Sequence, residues 1–134
     1  MKKDILFPKP EGVHFAAILG EDNLKQAVWE VFLINERNET LENVLNTSKG
    51  FGIVDNEMRK TSTLRRLMPD VPPGSALKIE LIPQDLLSFT NEYWLSFYIG
   101  KQIFDKKYIF MPGSIAVDNC IDVPVINKRG VMIS

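Results

Sequence analysis

NEYWLSFYIGKQIFDKKYIF, residues Asn91 to Phe110, reads as two β-strands folded back on each other at Gly100 and Lys101, and it holds seven of the chain's thirteen aromatic residues. Glycine at the first central position of a two-residue connection fits a type II′ turn, because that position needs a positive φ that only glycine adopts without steric cost. The turn fixes the register. With Ile99 opposite Gln102, the pairs going outward are Tyr98 with Ile103, Phe97 with Phe104, Ser96 with Asp105, Leu95 with Lys106, Trp94 with Lys107 and Tyr93 with Tyr108. Side chains alternate across a strand, so Tyr93, Leu95, Phe97, Ile99, Phe104 and Tyr108 share one face. That face is a core. Trp94, Ser96, Tyr98, Ile103, Asp105 and Lys107 share the other, which reads as half wet.

Working outward, the chain carries short apolar runs bounded by turn residues. Val13 to Leu19 and Ala27 to Asn35 read as a strand pair, since both are rich in β-branched and aromatic residues and too short and stiff to prefer helix. At 40–48, Leu41, Val44 and Leu45 stand at helical spacing, yet Val44 to Ser48 also suits a third strand. The strand is favoured because Gly50 and Gly52 follow and the neighbouring segments are all β. Lys60 to Leu67 is expected to form a further strand. Pro69 to Ser75 is turn chemistry that delivers Ala76 to Ile82, where Leu77, Ile79 and Leu81 alternate with Ala76, Lys78, Glu80 and Ile82 as in a half-buried strand. Pro83 at a first helical position predicts a short helical turn within Ile82 to Phe89.

Residues 1–12 read as an extended arm, because Pro8 and Pro10 cannot donate ladder hydrogen bonds. Residues 112–134 read as an irregular tail, with apolar pieces broken by Pro124 and Gly130. The expectation is one domain over residues 1–134: an all-β, immunoglobulin-like antiparallel sandwich of two sheets and about seven strands. The antibody-type Cys…Trp…Cys spacing is missing, since the chain has one cysteine.

Composition narrows the function classes. Sixteen Lys and Arg against seventeen Asp and Glu give a formal charge of −1, so the chain as a whole does not attract polyanions. Nucleic acid is therefore a disfavoured partner unless a site is local. No run is long enough to span a membrane. Cys120 alone cannot form an internal disulfide or a thiolate cluster, and only Ile5, Leu6 and Phe7 follow the first lysines, far short of a signal peptide's apolar segment. A cytoplasmic location is expected.

Motifs with chemistry are sparse. His14, the single histidine, lies in an apolar strand and belongs to no metal-binding spacing, so a structural or solvent-facing role is expected, with no metal and no cofactor. Glycines 50, 52, 74 and 113 form neither dinucleotide- nor phosphate-binding loops. Cys120 has no cationic neighbour in sequence to lower its pKa and reads as a small apolar residue. In MRKTSTLRR, Arg59, Lys60, Arg65 and Arg66 gather around three hydroxyl residues and are phosphate-binding candidates. A paired-carboxylate hydrolase is a further alternative, though nothing in the sequence selects a pair. Trp94 and Tyr98, flanked by Asp105 and Lys107, are the better lead, because interfaces enrich large amphipathic aromatics at their anchors. The alternative is that another strand or the tail covers them. The leading expectation is thus a non-enzymatic protein-interaction or assembly module whose partner is another protein or a second copy.

RKTSTL (59–64), NEYWLSFYIG (91–100) and DKKYIF (105–110) resemble a small uncharacterised bacterial protein family of about this length, with a likeness extending over most of the chain. Some of its members are described as related to the phenylalanyl-tRNA synthetase alpha subunit. A class II synthetase core needs a large antiparallel sheet and nucleotide-binding arginine motifs that this chain lacks. The resemblance therefore implies a compact domain and transfers no functional residue.

Overall fold

A computed structural model describes residues 10–134. The expected arm falls mostly on residues 1–9, outside the described residues; Glu11 and Gly12 form a turn, and Gly12 takes a φ of +76° that glycine tolerates. Ten strands follow in order: β1 (Val13–Glu21), β2 (Ala27–Asn35), β3 (Glu42–Val54), β4 (Glu57–Lys60), β5 (Leu64–Leu67), β6 (Ser75–Ile82), β7 (Thr90–Ile99), β8 (Gln102–Phe110), β9 (Ile121–Val123) and β10 (Lys128–Ile133). They build two antiparallel sheets. The first runs β6-β2-β1-β10-β9; the second runs β4-β3-β7-β8, with β5 also pairing β3.

The sheets face each other across one aromatic core. Phe15 of β1 stacks on Tyr93 of β7 at 5.0 Å between ring centroids and lies 4.8 Å from the ring of Tyr108, while Phe97 stacks on Phe104 at 5.4 Å. Tyr108 ties the sheets together by donating its hydroxyl to the Val13 carbonyl at 2.8 Å. The crossing from the first sheet to the second is pinned by fully buried Asn35. Its amide donates to the carbonyls of Glu39, Val71 and Pro72, and its Oδ1 accepts from the Arg37 N–H, so the polar backbone of two loops is satisfied where water cannot reach.

The hairpin of β7 and β8 has the register expected of it pair for pair, from Tyr93 opposite Tyr108 to Ile99 opposite Gln102, and continues to Asn91 opposite Phe110. Gly100 has φ +59° and Lys101 is not in the left-handed region, as a type II′ turn requires. Tyr93, Leu95, Phe97, Phe104 and Tyr108 are buried, and Ile99 packs against them. The region around residue 44 is strand, and it is longer than expected because a second hairpin extends it. Asp55 and Asn56, at φ 52° and 63°, make the two-residue turn that folds β4 back onto β3.

Four sequence expectations are corrected. Lys60 to Leu67 is not one strand: Thr61 bonds Gly50 through both its N–H and its hydroxyl, which breaks the run into β4 and β5. The alternation in β6 fails after Ile79, where a β-bulge lies between the Val31–Glu80 and Phe32–Lys78 pairs. The bulge puts Leu81 outside and Glu80 and Ile82 inside. Pro83 caps the 3-10 turn at Gln84–Leu86 rather than starting it. Finally, residues 112–134 are not irregular: β10 completes the first sheet beside β1, and β9 extends it. Gly130 makes this possible, because a Cβ there would lie 2.4 Å from Ile18 Cδ1 and 2.7 Å from the Ala17 carbonyl.

The C-terminal hairpin also builds a second, smaller apolar cluster on the outer side of the first sheet. Val123 covers Ala16, Ile18 and Ile34, with Val125 and Ile126 packed against them.

Candidate functional site

The outer face of the second sheet has no such cover among the described residues. Even-numbered positions of β7 point outward there, so Trp94 stands between Thr47 of β3 and Lys107 of β8. Trp94 is 49% exposed and Tyr98 37% exposed. The indole is nevertheless held in place. Its Nε1 donates to Asp105, and Lys107 Nζ lies 4.9 Å from the ring centroid, a cation–π contact of about 0.5–1 kcal/mol at an exposed site. Lys107 is in turn fixed by Glu92 at 2.9 Å, and the Glu92 side chain is only 8% exposed. The structure therefore brings together Trp94, Asp105 and Lys107 of the four interface candidates. Tyr98 lies farther along β7, opposite Ile103.

Trp94 divides two shallow depressions. One, of about 250 Å³, is bounded by Leu45, Thr47, Arg65, Ser96 and Asp105; the other, of about 100 Å³, by Thr47, Lys49, Thr63 and Glu92. Ile53, Leu67 and Ile109 are also exposed on this face, with Lys49 and Lys60 among them. A large aromatic side chain thus stands in scattered apolar surface with charged neighbours around it, and aromatics are among the residue types that interfaces enrich.

The four phosphate-binding candidates do not converge. Neighbouring residues in a strand point to opposite faces, so Lys60 and Arg65 share the outer face while Arg59 and Arg66 lie on the other. Arg66 is half-buried and reaches across to donate its guanidinium to the Ile79 carbonyl of the first sheet, at the bulge.

Sequence reasoning missed a polar cluster between the sheets. Glu80, turned inward by the bulge, accepts from the Ser48 hydroxyl at 3.1 Å and the Tyr93 hydroxyl at 2.7 Å. Burial, reinforced by the Glu80 charge and hydrogen bond, pushes the Tyr93 phenol well above its ordinary range. Beside it a cavity of about 310 Å³ is lined by Ser48, Thr61, Ser62, Leu64, Glu80 and Asn91. Both Glu80 oxygens and the Asn91 amide are engaged within the protein, so the cluster reads as a tie between sheets. The signal available in sequence was the apolar Ile82 falling out of step with Leu77 and Ile79.

His14 links strand ends: its Nε2 lies 2.6 Å from Glu36 and its Nδ1 2.6 Å from the Ser134 hydroxyl. A carboxylate only accepts, so Nε2 donates to Glu36, while the Ser134 hydroxyl closes the other side of the ring at Nδ1. Cys120 is half-buried against the core. Among the described residues, no group of three His, Cys, Asp or Glu side chains is placed to hold a metal ion, and no helix is long and apolar enough to cross a membrane. Asp22 and Asp85 line one open cavity of about 530 Å³, but Asp22 Oδ1 already accepts the N–H groups of Leu24 and Gln26. Comparison with protein-family models, curated proteins and solved structures finds no match to this chain.

Proposed function

We propose that the chain is a non-enzymatic protein-interaction module that recognises its partner through the outer face of the second sheet, with Trp94 as anchor. The observation that carries this reading is the state of Trp94: half exposed, yet fixed by Asp105 and Lys107 in one orientation. A preorganised aromatic loses less freedom on binding than a mobile one, which is what a recognition anchor needs. The two neighbouring depressions offer space for side chains of a partner. Trp94→Lys is expected to abolish capture of the partner from native lysate. Leu24→Lys, in the exposed loop between β1 and β2, is expected to leave it intact. Equal capture by both variants would end the reading.

The immunoglobulin-like description belongs to the same proposal. It is supported by the neighbour orders β1-β2-β6 and β3-β7-β8, which match the A-B-E and C-F-G orders of that class, with β9 and β10 as additions. A cytoplasmic location, supported by the single free cysteine, is checked by fractionating the source cells.

A further inference from the structure

Sheet edges with unpaired N–H and C=O groups invite pairing, and proteins shorten, bulge or cross them to prevent it. Three of the edges here are treated in that way. β9 has three residues, β4 and β5 have four each with a break between them, and β6 is bulged and crossed by Arg66. β8 differs. It runs nine residues, pairs β7 without a register shift, and contains no proline, and among the described residues nothing pairs with its free side.

The pair closing a two-residue turn is hydrogen-bonded, and bonded and non-bonded pairs alternate from there. Ile99 with Gln102 is that closing pair, so Ile103, Asp105, Lys107 and Ile109 direct their backbone N–H and C=O groups to the free side. An antiparallel copy of β8 can satisfy them only in registers that keep these residues opposite one another. A two-fold axis at Asp105 or at Lys107 sets like charges face to face, and one at Phe104 sets Ile103 against Asp105. An axis at Lys106 sets Asp105 opposite Lys107 twice and Ile103 opposite Ile109 twice.

We infer that β8 is a self-association edge, joining two copies of the chain into a continuous sheet with the dyad at Lys106. This rests on reading the chain as an assembly module and names a second copy as one partner. Opposite charges and paired aliphatic residues directly across strands are mutually stabilising. On the shared outer face, Lys107 of one copy would meet Asp105 of the other, joining the Glu92–Lys107 and Trp94–Asp105 contacts that each copy already holds. The register has one unfavourable feature, the meeting of two Lys106 side chains on the dyad. A single strand pair buries little area, so the dimer is a weak one.

Sedimentation equilibrium of the described chain with its residues 1–9 tests this. Asp105→Lys alone opposes like charges at both pairs, as does Lys107→Asp alone; each is expected to weaken the dimer at least about tenfold. Mixed together they restore opposite charges at both pairs, so the mixture is expected to dimerise where neither variant does. Lys106→Gln is expected to tighten the wild-type dimer. Ile109→Pro removes an outward N–H without removing a bond to β7 and is expected to abolish association. A wild-type chain that stays monomeric to about 1 mM, or a dimer that the charge swap does not weaken and re-form, overturns the inference. Retained partner capture by a monomeric chain would leave the Trp94 reading standing alone.

Discussion

The two sheets of this sandwich have similar apolar outer faces, and among the described residues only one of them is roofed. On the first sheet, Ala16, Ile18 and Ile34 are buried beneath Val123 and its neighbours; on the second, Trp94, Tyr98 and Ile109 remain exposed. Both faces carry apolar side chains, so the difference lies in where the C-terminal hairpin goes. Residues that are apolar and covered contribute to stability, whereas apolar residues held in the open by charged neighbours are available for recognition. The comparison predicts that equal truncations on the two faces have very unequal effects.

The largest effect is expected on the roofed side. Ile34→Ala removes a fully buried side chain and is expected to lower unfolding free energy by about 3 kcal/mol, read from urea denaturation. A loss under about 1 kcal/mol would mean the roof is not part of the cooperative fold. Gly130→Ala forces a Cβ into Ile18 and the Ala17 carbonyl and is expected to destabilise by about 2 kcal/mol. If it is neutral, β10 does not pack as closely on β1 as the strand spacing requires.

A third prediction concerns the interior that joins the faces. Burial pushes the phenols of Tyr93 and Tyr108 well above the ordinary value of 10.0, so each binds its proton more tightly folded than unfolded. Below pH 10 that contribution to stability is complete. As pH rises beyond it the unfolded chain loses protons the folded chain retains, and stability falls. Tyr93→Phe is expected to be about 1–2 kcal/mol less stable at neutral pH, because Glu80 loses a buried donor, and to show a shallower decline above pH 10. An unchanged alkaline slope would contradict the burial of this phenol.

How much of this could be read from the chain depended on what fixes each strand's phase. At Gly100 the turn sets the register, and every later pair follows, so the aromatic core and the placement of Trp94 on the opposite face were visible in residues 91–110, whereas its exposure depended on where the tail packs and was not. At Ile79 a bulge resets the phase in mid-strand, and the inward turn of Glu80 was hidden because the bulge depends on the partner strand β2. Gly130 and Pro124 looked like strand breakers. The glycine is instead a packing requirement, known only once Ile18 lies against it. Arg66 likewise counted as a surface cation until strand parity turned it toward the other sheet.

The smallest stability effect is expected where the largest exposed aromatics lie, and equilibrium unfolding of the Trp94→Ala, Tyr98→Ala double variant measures it. The account predicts a change within about 1 kcal/mol of the parent chain, since neither ring belongs to a core cluster. A loss above about 3 kcal/mol would show that this face is part of the fold's interior and contradict its assignment as a recognition surface.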